Sequence, residues 1–249
     1  MLRDTLVILR RELLRYRRDR AYWVGQLVFP LVAIGFIGFG LDRVVSLPTG
    51  AGYLEHLASG LMALLIGSGG VGAGFTLIQD RETGFLRVLR VAPISRAAMV
   101  LGKIAARVLA SGVLVALLLA VLATFTPLRL AHPWAVAAAV VGITAPFVAL
   151  GVALAARLAS LESFRVLSAG VTVPLYFLSG IFYPVSTLPE VTRILARLNP
   201  LTYGVDLLRF GLLGVAEVDP RVSAVLLVAV SVLGVTVSVL LFERARGGA

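Results

Sequence analysis

Apolar residues fall into six long runs along this chain, at 22–41, 57–78, 108–125, 134–156, 166–183 and 222–242, and no run contains Asp, Glu, Lys, Arg or His. About 20 apolar residues in a helix cross the roughly 30 Å hydrocarbon core of a bilayer. The pattern therefore predicts an all-α integral membrane protein, a single domain over 1–249 with six transmembrane helices. Pro30, Pro146 and Pro174 lie inside the first, fourth and fifth runs. Proline removes one helical hydrogen bond, and such prolines point to shaped, kinked helices. Lys103 and Arg107 precede the third run at i, i+4 spacing, where long side chains can snorkel to the interface.

Between the runs the period changes. Leu2, Leu6, Leu9, Leu13 and Tyr16 recur on one stripe, and Arg3, Arg10 and Arg17 fall on another face at heptad spacing. That predicts an interfacial helix over 1–21, lying flat on an anionic leaflet where each basic residue adds on the order of 1 kcal/mol. The stretch "QDRETGFLRVLRVAPISR" (79–96) separates the second and third runs. At 100° per residue, Phe85, Leu86, Val88, Leu89 and Ala92 share one arc, Arg87 and Arg90 the opposite one, and Gly84 and Pro93 mark the ends. Two readings fit this short helix: an interfacial helix on the headgroups, or a docking helix whose apolar side enters a groove on a cytoplasmic partner.

The long stretch 184–221 also reads as helical. "LPEVTRILARLNP" sets Val191, Ile194, Leu195 and Leu198 on one face and Arg193 and Arg197 on another. "LTYGVDLLRFGLL" sets Leu201, Val205, Leu208 and Leu212 together, with Asp206 and Arg209 at i, i+3. Pro189 suits a helix start and "NP" at 199–200 a break. Two short helices resting in, or dipping into, the outer interface are expected over 184–214.

Composition supports the membrane reading: 59% of residues are hydrophobic, 14% charged, and mean hydropathy is +0.98. Soluble domains sit near 45–50% apolar and 25% charged. The net charge of +10 does not indicate nucleic acid, because the arginines cluster beside apolar runs as in juxtamembrane loops. Placing both termini in the cytoplasm puts most basic residues inside: the N-terminal arm, 79–107, 157–165 and the tail. Arg43, Arg129, Arg193, Arg197, Arg209 and Arg221 then lie outside. The first run is too long for a cleaved signal, and "GLDRVVSLP" after it offers no small-residue cleavage site. The paired arginines of "RRELLRYRRDR" suit an interfacial helix better than an export signal.

Candidate chemistry is sparse. The absence of cysteine excludes disulfides and thiolate metal sites, and His56 and His132, both placed outside, are too far apart in sequence to suggest a metal cluster. "GSGGVG" (67–72) matches G-x-G-x-x-G literally, but that fingerprint needs a strand before it and a helix after it. Inside an apolar run its glycines, with the Gly70–Gly74 pair, form instead a small-residue face for close helix packing. Lys103 has no phosphate-loop context, and no Ser-His-Asp or Cys-His set is credible. The carboxylate pairs Asp80/Glu82, Glu190/Asp206 and Glu217/Asp219 flank the bilayer. An ion-coupled transporter would keep ionisable groups within its spans. The chain thus carries no energy source of its own.

Three segments in this order resemble a type-2 ABC exporter permease, the membrane subunit of an ATP-binding-cassette transporter: "QDRETGFLRVLRVAPISRAAMVLGK", "PLYFLSGIFYPVSTLP" and "LNPLTYGVDLLR". With the basic arm and six spans, the likeness covers essentially the whole chain. It implies a prokaryotic cytoplasmic-membrane subunit that pairs with a second permease copy, as a homodimer or with a close paralogue, and with two copies of a separate cytoplasmic ATPase. No cofactor would be bound by this chain; ATP and Mg would sit on the partner. A coupling helix would span 80–93, with Asp80, Arg81, Glu82, Gly84, Phe85, Leu86, Arg87, Leu89, Arg90 and Pro93 contacting the ATPase. The N-terminal helix would add to that contact through Arg10, Arg11, Arg15, Arg17 and Arg18. Re-entrant helices between the last two spans would close the outer end. Phe29, Pro30, Tyr176, Phe177, Ser179 and Tyr183 are the candidates for the translocation pathway at the dimer interface. One departure stands out: the acidic residue usual soon after the motif glycine is replaced by Phe85, Leu86 and Arg87, while Glu82 keeps acidic character before it.

Uncharged spans and the likeness to antibiotic-resistance permeases favour export of a lipophilic small molecule, drug or lipid. Export of a polysaccharide or lipid-linked glycan is the alternative, and an aromatic content of 8% speaks against a sugar-stacking lining. A scaffold or immunity protein that transports nothing is the alternative of another class, and a membrane-embedded enzyme would need polar catalytic groups that the runs lack.

Overall fold

The computed structural model describes residues 1–48, 50–83, 95–126, 130–158 and 160–244, and every regular element among them is helical. Helix α1 (Leu2–Arg18) carries Asp4 in its first turn and Arg15, Arg17 and Arg18 in its last, complementing the helix dipole at both ends. A single residue, Asp19, separates it from α2 (Arg20–Leu41), and its carboxylate caps α2 by accepting from Tyr22 N–H at 2.9 Å. Pro30 sits inside α2, and the helix widens into a π turn at Ile34–Gly38. Helix α3 (Tyr53–Glu82), α4 (Arg96–Leu122), α5 (Pro133–Arg157), α6 (Leu161–Phe177), α7 (Glu190–Leu198), α8 (Pro200–Leu213) and α9 (Pro220–Arg244) follow.

Helices α3 and α5 form the centre. Their apolar windows are each 72% buried within the chain, against 17% for α2 and 11% for α9. The close approach is made by glycine. A Cβ on Gly74 would strike the Gly151 carbonyl of α5, one on Gly151 would strike the Val71 carbonyl of α3, and one on Gly70 would stand 2.7 Å from Phe147 Cβ. The small-residue face expected from the glycine spacing is therefore the α3–α5 seam, where lipid supplies no hydrophobic drive and close packing must hold the helices. Around this pair, α5 also packs on α9, α8 and α4, and α1 lies along α4, where Ile8 would meet any Cβ at Gly102.

Five helices among the described residues are long and apolar enough to cross a membrane: α2, α3, α4, α5 and α9. The expected span at 166–183 is not one helix. Helix α6 covers only 17 residues, about 26 Å at 1.5 Å per residue, and ends at Phe177 before a turn in which Gly180 takes φ +78°. Ser179 and Ile181 in that turn are apolar enough, or buried enough, to extend the run without extending the helix. The third run also needs correcting. Ser95 caps α4 by accepting from Ala98 N–H at 3.2 Å, so the helix begins at Arg96, well before 108, and carries Lys103 and Arg107 within it. Neither snorkels; both are buried.

The segments rich in arginine gather at one end of the bundle. Helix α1 meets there the end of α3 and the start of α4, Arg81 ties the end of α3 to that of α5, and Leu161 at the start of α6 lines the same cleft as α1. The opposite end holds the start of α3, the turn after α6, and α7. Helix α8 runs antiparallel to α5: Gly204 lies against Ile143 and Gly211 against Val136. Its start is thus some 14 residues, about 21 Å, deeper than the start of α5, and Asn199 fixes it by donating to Leu175 O (2.7 Å) and accepting from Leu201 N–H (3.0 Å). As expected, Leu201, Val205, Leu208 and Leu212 are buried on α8, whereas the apolar face of α7 (Val191, Ile194, Leu195, Leu198) is exposed.

Candidate functional site

At the basic end, α1 is tied to α3 and α4 by buried charge. Arg11 forms a forked pair with Asp80, Nη1 to Oδ2 at 3.0 Å and Nη2 to Oδ1 at 2.5 Å. Lys103 Nζ donates to Glu12 Oε1 and to Thr76 Oγ1, both at 2.8 Å, and stands 3.9 Å from Asp80. Arg15 donates to Gln79 at 2.6 Å. One turn on, Arg81 donates to the carbonyls of Ala155 and Leu158 at 2.9 Å each, closing the C-terminus of α5. Burial alone would lower the Arg11 pKa, but its hydrogen bonds to Asp80, and the charges of Asp80 and Glu12, hold it above its ordinary value. A cleft of about 950 Å³ opens beside this junction, lined in part by Arg10, Arg11, Arg15, Arg18, Asp80 and Glu82.

This junction holds four of the expected contact residues, Arg11, Arg15, Asp80 and Arg81, in intramolecular bonds. Arg10 and Arg18 border the cleft with Glu82, and Arg17 is exposed. Gly84, Phe85, Leu86, Arg87, Leu89, Arg90 and Pro93 lie outside the described residues. The helices that flank 84–94 in sequence, α3 before it and α4 after it, both contribute side chains to the charged junction. Glu12, Gln79, Thr76 and Lys103 complete the junction and were missed by the sequence reading. Glu12, the one acid between Arg10 and Arg18, and the only lysine of the chain were the available signals.

The pathway candidates divide. Phe29 and Phe177 are exposed, while Pro30, Tyr176 and Ser179 are buried. Tyr176 stacks on Phe147 at 6.1 Å, and Phe177 on Phe182 at 5.2 Å. Ser179 donates to Tyr176 O, and Tyr183 to Phe177 O at 2.6 Å, so both stitch the turn after α6.

A second polar cluster occupies the far end. His56, expected in a loop, is fully buried at the start of α3, 3.3 Å from Arg209 Nη2, which also donates to Gly180 O at 3.0 Å. Asp206 accepts from the N–H groups of Glu217 (2.8 Å) and Val218 (3.1 Å), and Glu217 in turn accepts from those of Val185 and Ser186. The i, i+3 residues Asp206 and Arg209 thus fasten different loops. Burial pushes the Arg209 pKa down to about 10 and raises that of Asp206, against which its backbone donors and Arg209 act. Asp206→Ala is expected to lower stability by about 2–4 kcal/mol through two lost charge-assisted bonds. Melting of the purified protein measures this, with exposed Glu190→Ala as a control that leaves the transition in place.

Among the described residues no group of three or more His, Cys, Asp or Glu is arranged to hold a metal. Both clusters lock helix ends and loops; neither sets a nucleophile against a base.

Comparison with known proteins bears on what such an arrangement serves. The ABC-2 type transporter family profile matches residues 3–213. The inner membrane transport permease YadH of Escherichia coli strain K12 is 26% identical over 243 residues, covering 95% of this chain and 93% of that protein. Nodulation protein J of Rhizobium leguminosarum bv. trifolii is 27% identical over 220 residues, 82% of each. The putative transport permease ycf38 of Porphyra purpurea is 26% identical over 217 residues, covering 84% of this chain and 74% of that one.

Proposed function

The chain belongs to the ABC-2 type transporter family, and we propose that it is the permease subunit of an exporter that moves a lipophilic small molecule, drug or lipid outward across the inner membrane. ATP is hydrolysed by a separate ATPase, two copies of which serve two permease chains. The observation that carries this reading is the charged junction. The end of α3 and the first turns of α4, which flank 84–94 in sequence, are clamped there to α1, with Arg81 tying α3 to α5. A load applied there reaches three central helices at once instead of bending one loop.

On this reading both termini are cytoplasmic, the coupling segment expected over 80–93 has Asp80, Arg81 and Glu82 in the last turn of α3, and α7 and α8 form the re-entrant cap on the outer side. Helix α6 with the turn after it completes the sixth passage. ATP binding closes the ATPase pair, the coupling helices follow, and the permease shifts toward the state that the closed pair binds better, since only differential affinity moves such an equilibrium. The apolar surfaces of α2 and α6, where Phe29 and Phe177 are exposed, suit a lipophilic cargo at the interface between two chains.

The test uses the permease co-purified with its ATPase in inverted vesicles, following ATP-dependent uptake of a lipophilic fluorescent dye. Phe85→Asp or Leu89→Asp is expected to reduce retained ATPase and dye uptake by about tenfold or more, the effect of losing roughly 1.4 kcal/mol of binding, while the permease remains monodisperse. Undiminished ATPase capture by both variants would overturn the docking role. An ATPase rate insensitive to every cargo tried would favour a scaffold.

A further inference from the structure

Two cations lie buried one helical turn apart on α4, and only one has a counter-ion. Lys103 is bonded to Glu12 and Thr76 and is near Asp80. Arg107 is 1% exposed, and among the described residues no carboxylate pairs with it. Its Nη1 meets the Tyr22 hydroxyl, and its Cζ stands 5.6 Å from the Tyr22 ring centre and 6.0 Å from that of Tyr16. Nε and Nη2 are buried without any hydrogen-bond partner. Aromatic faces offset part of the burial of a guanidinium, but beyond the Nη1–Tyr22 bond they leave the N–H donors of Nε and Nη2 unused. An ionisable group inside a membrane helix marks a site by default, and its partner must be found.

Space for that partner exists. A cleft of about 290 Å³ opens between α1, α2, α3 and α4; its polar wall holds Arg107, Gln26, Ser68, Thr76 and Gln79, together with Arg15, which is bonded to Gln79, and the carboxylate of Asp19, which is engaged in capping α2. Helix α3 is notched to admit the guanidinium, because any Cβ at Gly69 would overlap it, and nothing crowds Gly72. The volume lies just under the 300–1,000 Å³ of drug-sized sites, so it suits a small oxyanion and not the body of a large cargo. A guanidinium with free N–H groups is the side chain best matched to phosphate oxygens.

We propose that this cleft is an anion site that takes a phosphate ester, with Arg107 supplying the charge and Gln26 and Ser68 supplying neutral hydrogen bonds. The ester is carried by the headgroup of an anionic phospholipid, entering from the leaflet, or by a soluble phosphate. The site does not depend on the cargo or the direction of transport.

Full-length permease released from membranes containing phosphatidylglycerol and phosphatidylcholine, and read by native mass spectrometry, tests the lipid source. Melting of delipidated protein with and without millimolar inorganic phosphate tests the soluble one. Wild type is expected to retain phosphatidylglycerol about tenfold over phosphatidylcholine, a difference of roughly 1.4 kcal/mol. Arg107→Gln should erase the preference and Arg107→Lys restore part of it. Ser68→Leu fills the cleft while keeping the charge, so it should erase the preference too, and it carries the test if Arg107→Gln does not fold. A phosphate-induced rise in melting temperature, seen in wild type and lost in Ser68→Leu, with no lipid preference, would assign the site to the soluble ester. No preference and no phosphate shift in wild type, or retention unchanged in Ser68→Leu and Arg107→Gln, would overturn the proposal.

Discussion

Lys103→Met is expected to destabilise the permease by about 3–5 kcal/mol, the cost of leaving a buried charge without its partner. Glu12 is buried, and without Lys103 it keeps only Arg11 at 3.7 Å, itself engaged with Asp80. Glu12→Leu alone should cost a similar amount, since Lys103 would then depend on Thr76 and a distant Asp80. The double variant should recover most of the loss, because two apolar side chains replace a pair whose desolvation was costly from the start. A double-mutant cycle on melting in detergent reads this directly. Additive losses would mean that Lys103 and Glu12 do not act on each other, and that α1 is held by the Arg11 and Arg15 bonds and Ile8 packing without them.

Gly151→Leu is expected to prevent assembly of the folded bundle, seen as loss of the monodisperse peak in size exclusion. Overpacking a close-packed core usually costs about 1–3 kcal/mol, and that range assumes side chains that can give way. Here the obstacle is backbone: Val71 O faces Gly151, and Gly151 O faces Gly74. Separating α3 from α5 would also disturb the packing of α8 and α9 on α5. Gly170→Leu on α6, where nothing stands within 4 Å of a Cβ, should be tolerated. Equal survival of both variants would remove the α3–α5 seam as the organising contact.

Much of this fold could be read from the chain because lipid imposes one rule, that long apolar runs become helices. The four runs at 22–41, 57–78, 134–156 and 222–242 lie within helices of nearly those bounds. The same rule failed where it treated charge as a boundary. Lys103 and Arg107 looked like the end of a loop, yet Lys103 is neutralised by Glu12, 91 residues away, and hydrogen-bonded by Thr76, 27 residues away. No local pattern contains such a pairing. It failed again at 178–183, where an apolar stretch is a buried turn held by the Ser179 and Tyr183 hydroxyls. The glycine seam was legible because its logic is local spacing; the junction was not, because its three strands of chain meet only after folding.

Asp19 deserves a last consequence. On its one side, α1 is fixed to α3 and α4 by buried ions; on its other, α2 is only 17% buried in its apolar window. Across the joint run a hydrogen bond from Trp23 Nε1 to Tyr16 O at 2.8 Å and a ring contact between Tyr16 and Tyr22 at 5.3 Å. The two helices therefore behave as a bracket and a door leaf. The bracket is bolted to the frame, and the leaf is held at its pin, by the Tyr22–Arg107 bond and by Ile34 and Gly38 near its far end, so swinging α2 forfeits less than moving α1, which breaks a charge network.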